Sequence, residues 1–203
     1  MWSKLEPVTL SSECVRLEPL DACHAADLGA AAEDGEIWRH WYTTVPAPNQ
    51  ISAEITRRLR LQSEGSMLPF AVIDAQGKAI GMTTYMNIDL HNQRLEIGST
   101  WYAASAHRTG VNTHAKWLLL RHAFETLESI AVEFRTHWFN HQSRAAIERL
   151  GAKMDGVLRQ HQKLADGSYR DTVIYSIIAS EWQAVKTHLE YQMHKPRAGV
   201  ARC

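Results

Sequence analysis

One short segment with a single glycine, Ala106–Lys116, has the composition of a loop that binds phosphate. It lies between a run of residues typical of a strand and a run typical of a helix. At such a junction the N–H groups of the loop and of the first helical turn lack partners within the helix, and the helix dipole favours negative charge beside them. Residues 108–113 are therefore candidates to bind a phosphate. The alternative is an ordinary strand-to-helix turn that binds no ligand.

Eleven histidines and three cysteines raise the question of a metal site. His137 and His141 are four residues apart, a spacing that aligns two ligands only when both lie on one helix. The sequence instead places His137 at the end of a strand and His141 at the start of a helix. The cysteines, Cys14, Cys23 and Cys203, are widely spaced and form no C-x-x-C pair. The sequence thus predicts no metal site and no disulfide framework, and the cysteines favour a reducing compartment.

Composition excludes several classes of protein. The 22 Lys and Arg residues balance 22 Asp and Glu residues, which argues against a nucleic-acid partner. The first seven residues lack the apolar core of a signal peptide, and no run approaches the roughly 18 apolar residues that a membrane span needs. With 203 residues, 45% of them hydrophobic, the chain can bury one core. The sequence predicts one soluble, cytoplasmic domain over residues 1–203, with a loose tail at about 194–203.

The sequence of the first half of the chain predicts a strand, two helices and three antiparallel strands. Val15–Leu20 alternates apolar and polar residues, and Asp21 can cap the Ala-rich helix that follows it to Ala32. A second helix is predicted over Ser52–Ser63. The three strands that follow are predicted at Pro69–Asp74, Ala79–Ile88 and Arg94–Tyr102, with a glycine in the turn between the first two.

The sequence of the second half predicts a helix, a strand, a second helix, a hairpin and a last helix. Apolar residues at spacings of three and four predict an amphipathic helix over Thr113–Leu127. A strand follows at Ile130–Trp138, and Asn140 is a good cap for a helix over Ser143–Leu150. The remaining predicted elements are the hairpin Met154–Gln162 with Tyr169–Ile178 and a helix that Ser180 caps and that reaches about Met193.

This order of elements resembles the GNAT superfamily of acetyl-CoA-dependent N-acetyltransferases, and within it the RimJ/RimL-like branch. The resemblance covers about residues 13–185, and four local matches carry it. They are the acid-Ile-Gly strand at Arg94–Trp101, the Q/R-x-x-G-x-G/A turn at His107–Asn112, the N-x-x-S segment at Asn140–Ser143 with its Leu-Gly ending at Leu150–Gly151, and the closing hairpin around Gly156–Arg159 and Asp166–Asp171. The resemblance implies an α/β (α+β) GNAT fold, a mixed but mostly antiparallel sheet of about seven strands with flanking helices.

The resemblance also implies acetyl-CoA as co-substrate, with no metal. Its pyrophosphate would lie on the turn and the helix start, on His107, Arg108, Thr109, Gly110, Val111, Asn112 and Thr113, and Asn140 would contact the pantetheine arm. Two residues depart from the superfamily pattern. His107 stands where Gln or Arg is usual, and Asn112 replaces the second small residue, where a bulkier side chain would limit the approach of the pyrophosphate to the backbone.

Acetyl transfer from a thioester to an amine needs a neutral amine, a stabilised oxyanion and a proton for the departing thiolate. By its match to the acid of the strand motif, Glu96 is the candidate base, and apolar neighbours can raise the pKa of such a carboxylate. The alternative is a solvated glutamate that pairs with Arg94 or a cross-strand cation. Ser143 is the candidate acid by its match to the N-x-x-S segment. The alternative for Ser143 is a local hydrogen bond in the first helical turn.

The aromatic residues Trp38, Trp41 and Tyr42 lie in the segment that, in relatives, overhangs the acceptor cleft, although aromatic residues beside helices are also common in cores. The predicted function is acetyl transfer to a primary amine, a protein N-terminus or a small molecule, by direct attack in a ternary complex. The alternative is a non-catalytic acyl-CoA-binding or ribosome-associated protein with the same fold. A third hypothesis is an oligomer that assembles through the C-terminal segment, and a homodimer is one such oligomer.

Overall fold

The computed structural model of the protein describes residues 4–195. Over that part of the chain it forms one sheet of eight strands and five α-helices. The strands are β1 Leu10–Ser11, β2 Arg16–Pro19, β3 Met67–Ile73, β4 Ala79–Asp89, β5 Arg94–Tyr102, β6 Ala131–His137, β7 Lys153–Lys163 and β8 Tyr169–Ile178. The helices are α1 Ala25–Glu33, α2 Ile51–Ser63, α3 Val111–Arg121, α4 His141–Arg149 and α5 Trp182–His194. Every strand and helix predicted from the sequence is present, with ends that differ by a few residues.

The strand order is β1-β2-β3-β4-β5-β6-β8-β7, and all neighbours are antiparallel except β5 and β6. This mixed, mostly antiparallel sheet with flanking helices confirms the predicted fold class. The sheet has eight strands rather than about seven, because β1 adds a two-residue strand that pairs with β2. A strand of two residues is too short for alternation of apolar and polar residues to reveal it.

Local hydrogen bonds explain why the first half folds as its sequence predicts. The Asp21 side chain accepts a hydrogen bond from the Cys23 amide at 3.0 Å, and the His24 ring accepts one from the Asp21 amide at 3.0 Å, which caps the turn that leads into α1. Between β3 and β4, Asp74 accepts from the amides of Gln76 and Lys78. These turns bring β3, β4 and β5 together as an antiparallel meander, and α1 and α2 cover one face of it.

The opposite face of the sheet packs against α3 and α5. The buried residues of α3 that face it are Val111, Ala115, Leu118, Leu119 and Leu120. One expectation about a helix is corrected here. Ser180 lies in a 3₁₀ turn, and Glu181 takes the cap position of α5, because the turn at Ala179–Glu181 continues directly into the helix. His114 of α3 is also buried, with 2% of its surface exposed.

The cysteines differ from expectation. Cys14 is buried and disulfide-bonded, whereas Cys23 is free and exposed. The sequence, which predicted no disulfide framework, did not indicate the bond at Cys14. Within residues 4–195, no helix is long and apolar enough to cross a membrane. The tail predicted at about 194–203 lies, beyond Lys195, outside the described residues.

The central feature of the sheet is a wedge between β5 and β6. These parallel strands pair only over their first three residues, Arg94–Glu96 with Ala131–Glu133. Beyond that point β5 remains paired with β4 and β6 remains paired with β8, so each strand is held on its outer side while the inner sides separate. The backbone groups that line the wedge thus lack a strand partner. We call this opening, between Ile97–Tyr102 and Phe134–His137, the β5–β6 wedge.

A bulge in β5 shapes the wedge. The pairing of β4 with β5 shifts around Ser99, which has a positive φ of 49°. Arg58 of α2 is 2% exposed, donates to the Thr84 hydroxyl at 2.6 Å and to the Ser99 carbonyl at 3.4 Å, and pairs with Glu54 at 2.7 Å. This buried, fully used guanidinium fastens α2 to the bulge. The helix that covers the face of β5 therefore also fixes where the strand turns away from β6.

Candidate active site

The β5–β6 wedge has the shape and chemistry to receive an extended, polar chain. Its walls carry strand-edge N–H and C=O groups, which need hydrogen-bond partners when they are covered. Two helices begin at the wide end of the wedge, because α3 follows β5 and α4 follows β6. Helix N-termini favour negatively charged groups. A ligand with an anionic head and an amide-bearing arm therefore fits this part of the sheet.

The loop before α3 presents unpaired amides at the wide end of the wedge. Among the described residues, no acceptor meets the N–H groups of Arg108, Gly110, Asn112 and Thr113, whereas the Val111 N–H donates to the Thr109 hydroxyl at 3.3 Å. Thr109 holds the loop in shape, since its hydroxyl donates to the Ala106 carbonyl at 2.6 Å. The left-handed residue of the loop is Arg108, with φ at 61°, whereas Gly110 has an ordinary helical conformation with φ at −72°.

The other residues of this loop that were predicted to bind the cofactor have different contacts in the structure. The His107 ring lies 3.2 Å from the Tyr102 carbonyl, so this side chain braces the loop. Val111 is buried and begins α3, and Asn112 lies in its first turn with ordinary helical backbone. The buried Thr113 hydroxyl accepts from Arg149 at 3.2 Å, which connects the first turn of α3 to the end of α4.

On the other side of the wedge, Asn140 caps α4. Its side-chain oxygen accepts from the Ser143 amide at 3.0 Å, as predicted for a cap. The cap therefore does not use the Ser143 hydroxyl, which has no hydrogen-bond partner among the described residues. The local hydrogen bond that was the alternative for Ser143 is not formed. A free hydroxyl at the start of this helix is placed to serve a bound group.

The Glu96 side chain lies on the sheet face covered by α1 and α2, at the narrow end of the wedge. It is 5% exposed, and its Oε2 accepts from the Asn87 amide at 2.6 Å and lies 3.4 Å from Nε of Arg135. Burial raises the pKa of the Glu96 carboxyl, while Asn87 and Arg135 oppose the rise. Glu96 is thus buried, unlike the solvated glutamate that the sequence analysis gave as the alternative to a base. Arg94 pairs with Glu133, although Arg135 does supply a cross-strand cation.

Glycine at position 98 makes room for this carboxylate. Gly98 follows Glu96 on the same face of β5, and a Cβ built on it would lie 2.8 Å from Oε1 of Glu96 and 2.7 Å from the Met86 sulfur. Any larger residue would displace the carboxylate or the methionine. The acid-Ile-Gly pattern of the sequence therefore has a steric cause in this structure.

Aromatic side chains from the loop after α1 and from the end of β6 meet above the same face. The Trp41 ring lies 4.9 Å from the His137 ring and 6.1 Å from the Phe139 ring, centroid to centroid, and it contacts Tyr42 edge-on at 5.7 Å. Trp41 is 54% exposed, as expected of a ring that borders a cleft rather than a core. Trp38 packs under the Arg39 guanidinium at 5.0 Å, so among the three predicted rings Trp41 makes the direct contact with β6.

Sequence reasoning missed four polar residues around this face: Asn87, Arg135, His137 and Arg170. Arg135 and His137 alternate with apolar residues in β6, a pattern that signals one polar and one buried face. That signal alone does not tell which polar face lies against a cleft. Within residues 4–195, no group of three or more His, Cys, Asp or Glu side chains could hold a metal ion.

The comparisons with known proteins agree with this geometry. The Acetyltransferase (GNAT) domain model matches residues 15–153, so the chain belongs to the GNAT acetyltransferase family. A Bacillus subtilis (strain 168) protein, YdaF, whose name describes it as a candidate ribosomal N-acetyltransferase, is 34% identical over 110 residues, which cover 54% of this chain and 59% of YdaF. The chain therefore matches less than two thirds of the length of that curated relative.

Solved structures share the fold over nearly the whole chain. A GCN5-related N-acetyltransferase from Brucella melitensis superposes with a TM-score of 0.82 at 31% identity, covering 93% of this chain and 86% of that one. RimJ of Mycobacterium smegmatis in complex with CoA-disulfide shares the fold at a TM-score of 0.75 and 23% identity, covering 92% and 93%. The predicted family is confirmed, and the names of these relatives agree with the RimJ/RimL-like branch.

Proposed function

We propose that this protein transfers an acetyl group from acetyl-CoA to a primary amine. The observation that carries the proposal is the β5–β6 wedge, with unpaired amides of α3 at its wide end and a buried glutamate at its narrow end. The acceptor is a protein N-terminus or a small amine. The name of YdaF favours a ribosomal protein, which would place the reaction in the cytoplasm.

The residues of this chain would hold the co-substrate along the wedge. The free amides of Arg108, Gly110, Asn112 and Thr113 bind the pyrophosphate, and the inner edges of β5 and β6 bind the pantetheine arm. Asn140 meets the same arm through its amide nitrogen, because its oxygen already caps α4. When bound, acetyl-CoA supplies the activated acetyl thioester. Asn112 lies within the helix, so its side chain leaves the amides of the first turn accessible.

The two candidate catalytic residues act on protons at opposite ends of the reaction. Glu96 takes a proton from the attacking amine, and its raised pKa makes it a stronger base than an exposed glutamate. Ser143 donates to the departing sulfur from the start of α4, where its hydroxyl makes no hydrogen bond to any residue that the structure describes. The amine reaches Glu96 from the face that Trp41 borders, so acceptor and co-substrate bind together and the amine attacks directly.

The test of this function is release of free CoA from acetyl-CoA in the presence of acceptors. A panel of small amines and of peptides that begin with Ser or Ala separates the two acceptor classes. Mass spectrometry of the acceptor must show a gain of one acetyl group. Tight CoA binding without transfer to any acceptor would favour the non-catalytic acyl-CoA-binding protein instead.

We expect Gly110→Pro to weaken CoA binding about tenfold or more while the fold is kept. Proline fits the φ of −72° at this position, and within residues 4–195 the Gly110 amide has no hydrogen bond to lose. The substitution removes one donor to a charged group, a contact worth roughly 1.5–3 kcal/mol. Calorimetry with CoA measures the effect. Gly110→Ala retains the N–H and is the matched control; equal affinities for the two variants would contradict the assignment of the pyrophosphate site.

We expect Ser143→Ala to lower the rate at saturating substrates about tenfold or more, which corresponds to at least ~1.4 kcal/mol of transition-state stabilisation. Stability should change little, because Asn140 and not the serine hydroxyl caps the helix. Ser52→Ala in the first turn of α2 is the control for loss of a serine from the first turn of a helix. A lowered melting temperature with an unchanged rate would show that the hydroxyl is structural.

A further inference from the structure

Two side chains beside the cleft carry hydrogen-bond donor groups that meet no acceptor among the described residues. One is the imidazole of His137 at the end of β6, and the other is the guanidinium of Arg170 in β8. Neither takes part in the transfer described above. Buried donors without partners carry a free-energy cost, so a pair of them on one face indicates a ligand.

His137 is fixed as a donor toward the cleft. Its side chain is 2% exposed, and its Nδ1 accepts from the Phe139 amide at 3.1 Å. Nε2 therefore carries the hydrogen of the neutral ring. Nε2 is buried and has no hydrogen-bond partner in the described part of the chain. The Trp41 ring, 4.9 Å away, closes over it from the side of the loop after α1.

The strand register brings Arg170 to the same place. His137 pairs with Thr172 across the β6–β8 ladder, and Arg170 lies two residues before Thr172 on the same face. Its Nε donates to the Thr172 hydroxyl at 3.1 Å, which draws the guanidinium back over that residue. The four remaining N–H groups have no acceptor among the described residues. Within residues 4–195 no carboxylate forms a salt bridge with this partly buried side chain, although the charge of Glu96 acts on it.

The charges on this face suit an anion close to a neutral amine. Arg135 and Arg170 both act on Glu96 through their charges, but Arg135 also pairs with Glu133, whereas Arg170 forms no salt bridge within residues 4–195. The charge of Arg170 also lowers the pKa of His137, after burial, so the ring stays neutral and donates a single hydrogen. A guanidinium and an N–H donor under an aromatic ring match a carboxylate.

We propose that Arg170 and His137 form a carboxylate-binding subsite for the acceptor, so that the protein prefers amines that carry a carboxylate a few bonds away. This inference rests on the proposed function, because it names the acceptor of the same cleft. The carboxylate can come from an acidic side chain near a peptide N-terminus or from a small amino acid. Polyamines and peptides with a basic second residue would meet the Arg170 charge and be disfavoured.

The experiment compares matched acceptors on the wild-type protein and on Arg170→Met. The acceptors are peptides that begin Ser-Glu-Ala and Ser-Lys-Ala, their counterparts with the charged residue third, and free glutamate against its diamide. We expect kcat/KM at least tenfold higher for the acidic peptides with the wild-type protein, and a ratio near one with Arg170→Met. Arg159→Met, on β7 with its side chain 85% exposed, is the control and should keep the preference.

A second readout separates this inference from the proposed function. Calorimetry with the N-acetylated Ser-Glu-Ala and Ser-Lys-Ala peptides measures binding without turnover, and His137→Phe removes the second donor while retaining an aromatic ring. Selective binding of the acidic peptide that is lost in Arg170→Met supports the subsite even if no acetylation occurs. Equal binding and equal turnover of acidic and basic acceptors would overturn it, whether or not acetyl transfer is found. Preference for free glutamate over the peptides would identify a small amino acid as the source of the carboxylate.

Discussion

Glu96→Gln should lower kcat/KM by about 100-fold or more at neutral pH while CoA binding is retained. A positioned general base contributes roughly 10²–10⁴-fold, and this glutamate is the buried carboxylate at the narrow end of the wedge. Glutamine preserves the shape and can still accept from Asn87, so the cleft should keep its form. Steady-state kinetics on an accepted amine, with calorimetry for CoA, measures both quantities.

The pH dependence of kcat/KM for Glu96→Gln tests the role of the base more specifically than the rate at a single pH. Burial raises the pKa of Glu96, so the acidic limb of the wild-type profile should lie above the range of an exposed glutamate. The limb that belongs to Glu96 should be absent from Glu96→Gln, whose deficit is greatest between acidic and neutral pH. Glu18→Gln, in an exposed ion pair of β2, is the control. A variant with wild-type rates over this range would show that solvent or another group deprotonates the amine.

The raised pKa of Glu96 also affects the stability of the folded protein. A carboxyl with a raised pKa binds more protons in the folded state, so its contribution is greatest at low pH and is lost as pH rises through the raised pKa. Glu96→Gln should therefore unfold no more easily than the wild-type protein at neutral pH. A site residue whose removal leaves stability unchanged or increased, while the rate falls, is under functional rather than structural constraint.

Local sequence patterns predicted most of the fold. The cap at Asp21, the Asn140 cap and the glycine turns at Gly77 and Gly167 depend on contacts within a few residues, and each forms as predicted. Glu96 lies on β5 and Ser143 lies in the first turn of α4, on opposite sides of the wedge. The two-residue strand β1 and the start of α5 were missed because neither has a periodic pattern of its own.

What could not be predicted depends on contacts between distant segments. Arg58 looks like an ordinary polar residue of an amphipathic helix, yet it is buried because Thr84 and Ser99 satisfy its donors from the sheet. The sequence likewise shows His137 only as a polar residue of a strand. Its burial under Trp41 joins segments almost a hundred residues apart. No periodicity within one element contains this information.

Lys116→Met should stabilise the protein, most strongly at low pH. Lys116 of α3 is 6% exposed, and its Nζ donates to the hydroxyls of Thr100 at 2.6 Å and Thr83 at 3.3 Å. No carboxylate pairs with it among residues 4–195. Burial lowers the pKa of Lys116 to about 7. The two threonine hydroxyls lie 2.8 Å apart, so each retains a partner when the lysine is replaced.

The sign of the pH effect follows from proton binding. Between a folded pKa of about 7 and the ordinary value near 10.5, the unfolded chain binds one more proton than the folded protein, so wild-type stability should rise with pH. Below pH 7 the charged lysine is buried at its full cost, at most about 5 kcal/mol for this shift. Methionine has no charge to bury and a similar shape, and it removes that dependence.

Urea denaturation of both proteins at pH 6 and pH 9 measures this difference. The stability advantage of Lys116→Met should shrink by about 2–3 kcal/mol between these values, since each pH unit above 7 relieves up to ~1.4 kcal/mol. Lys78→Met, in the exposed β3–β4 turn, is the control and should show no such trend. An advantage that stays constant from pH 6 to pH 9 would mean that Lys116 keeps its charge throughout, and that the threonine hydroxyls solvate a buried ammonium group without a counter-ion.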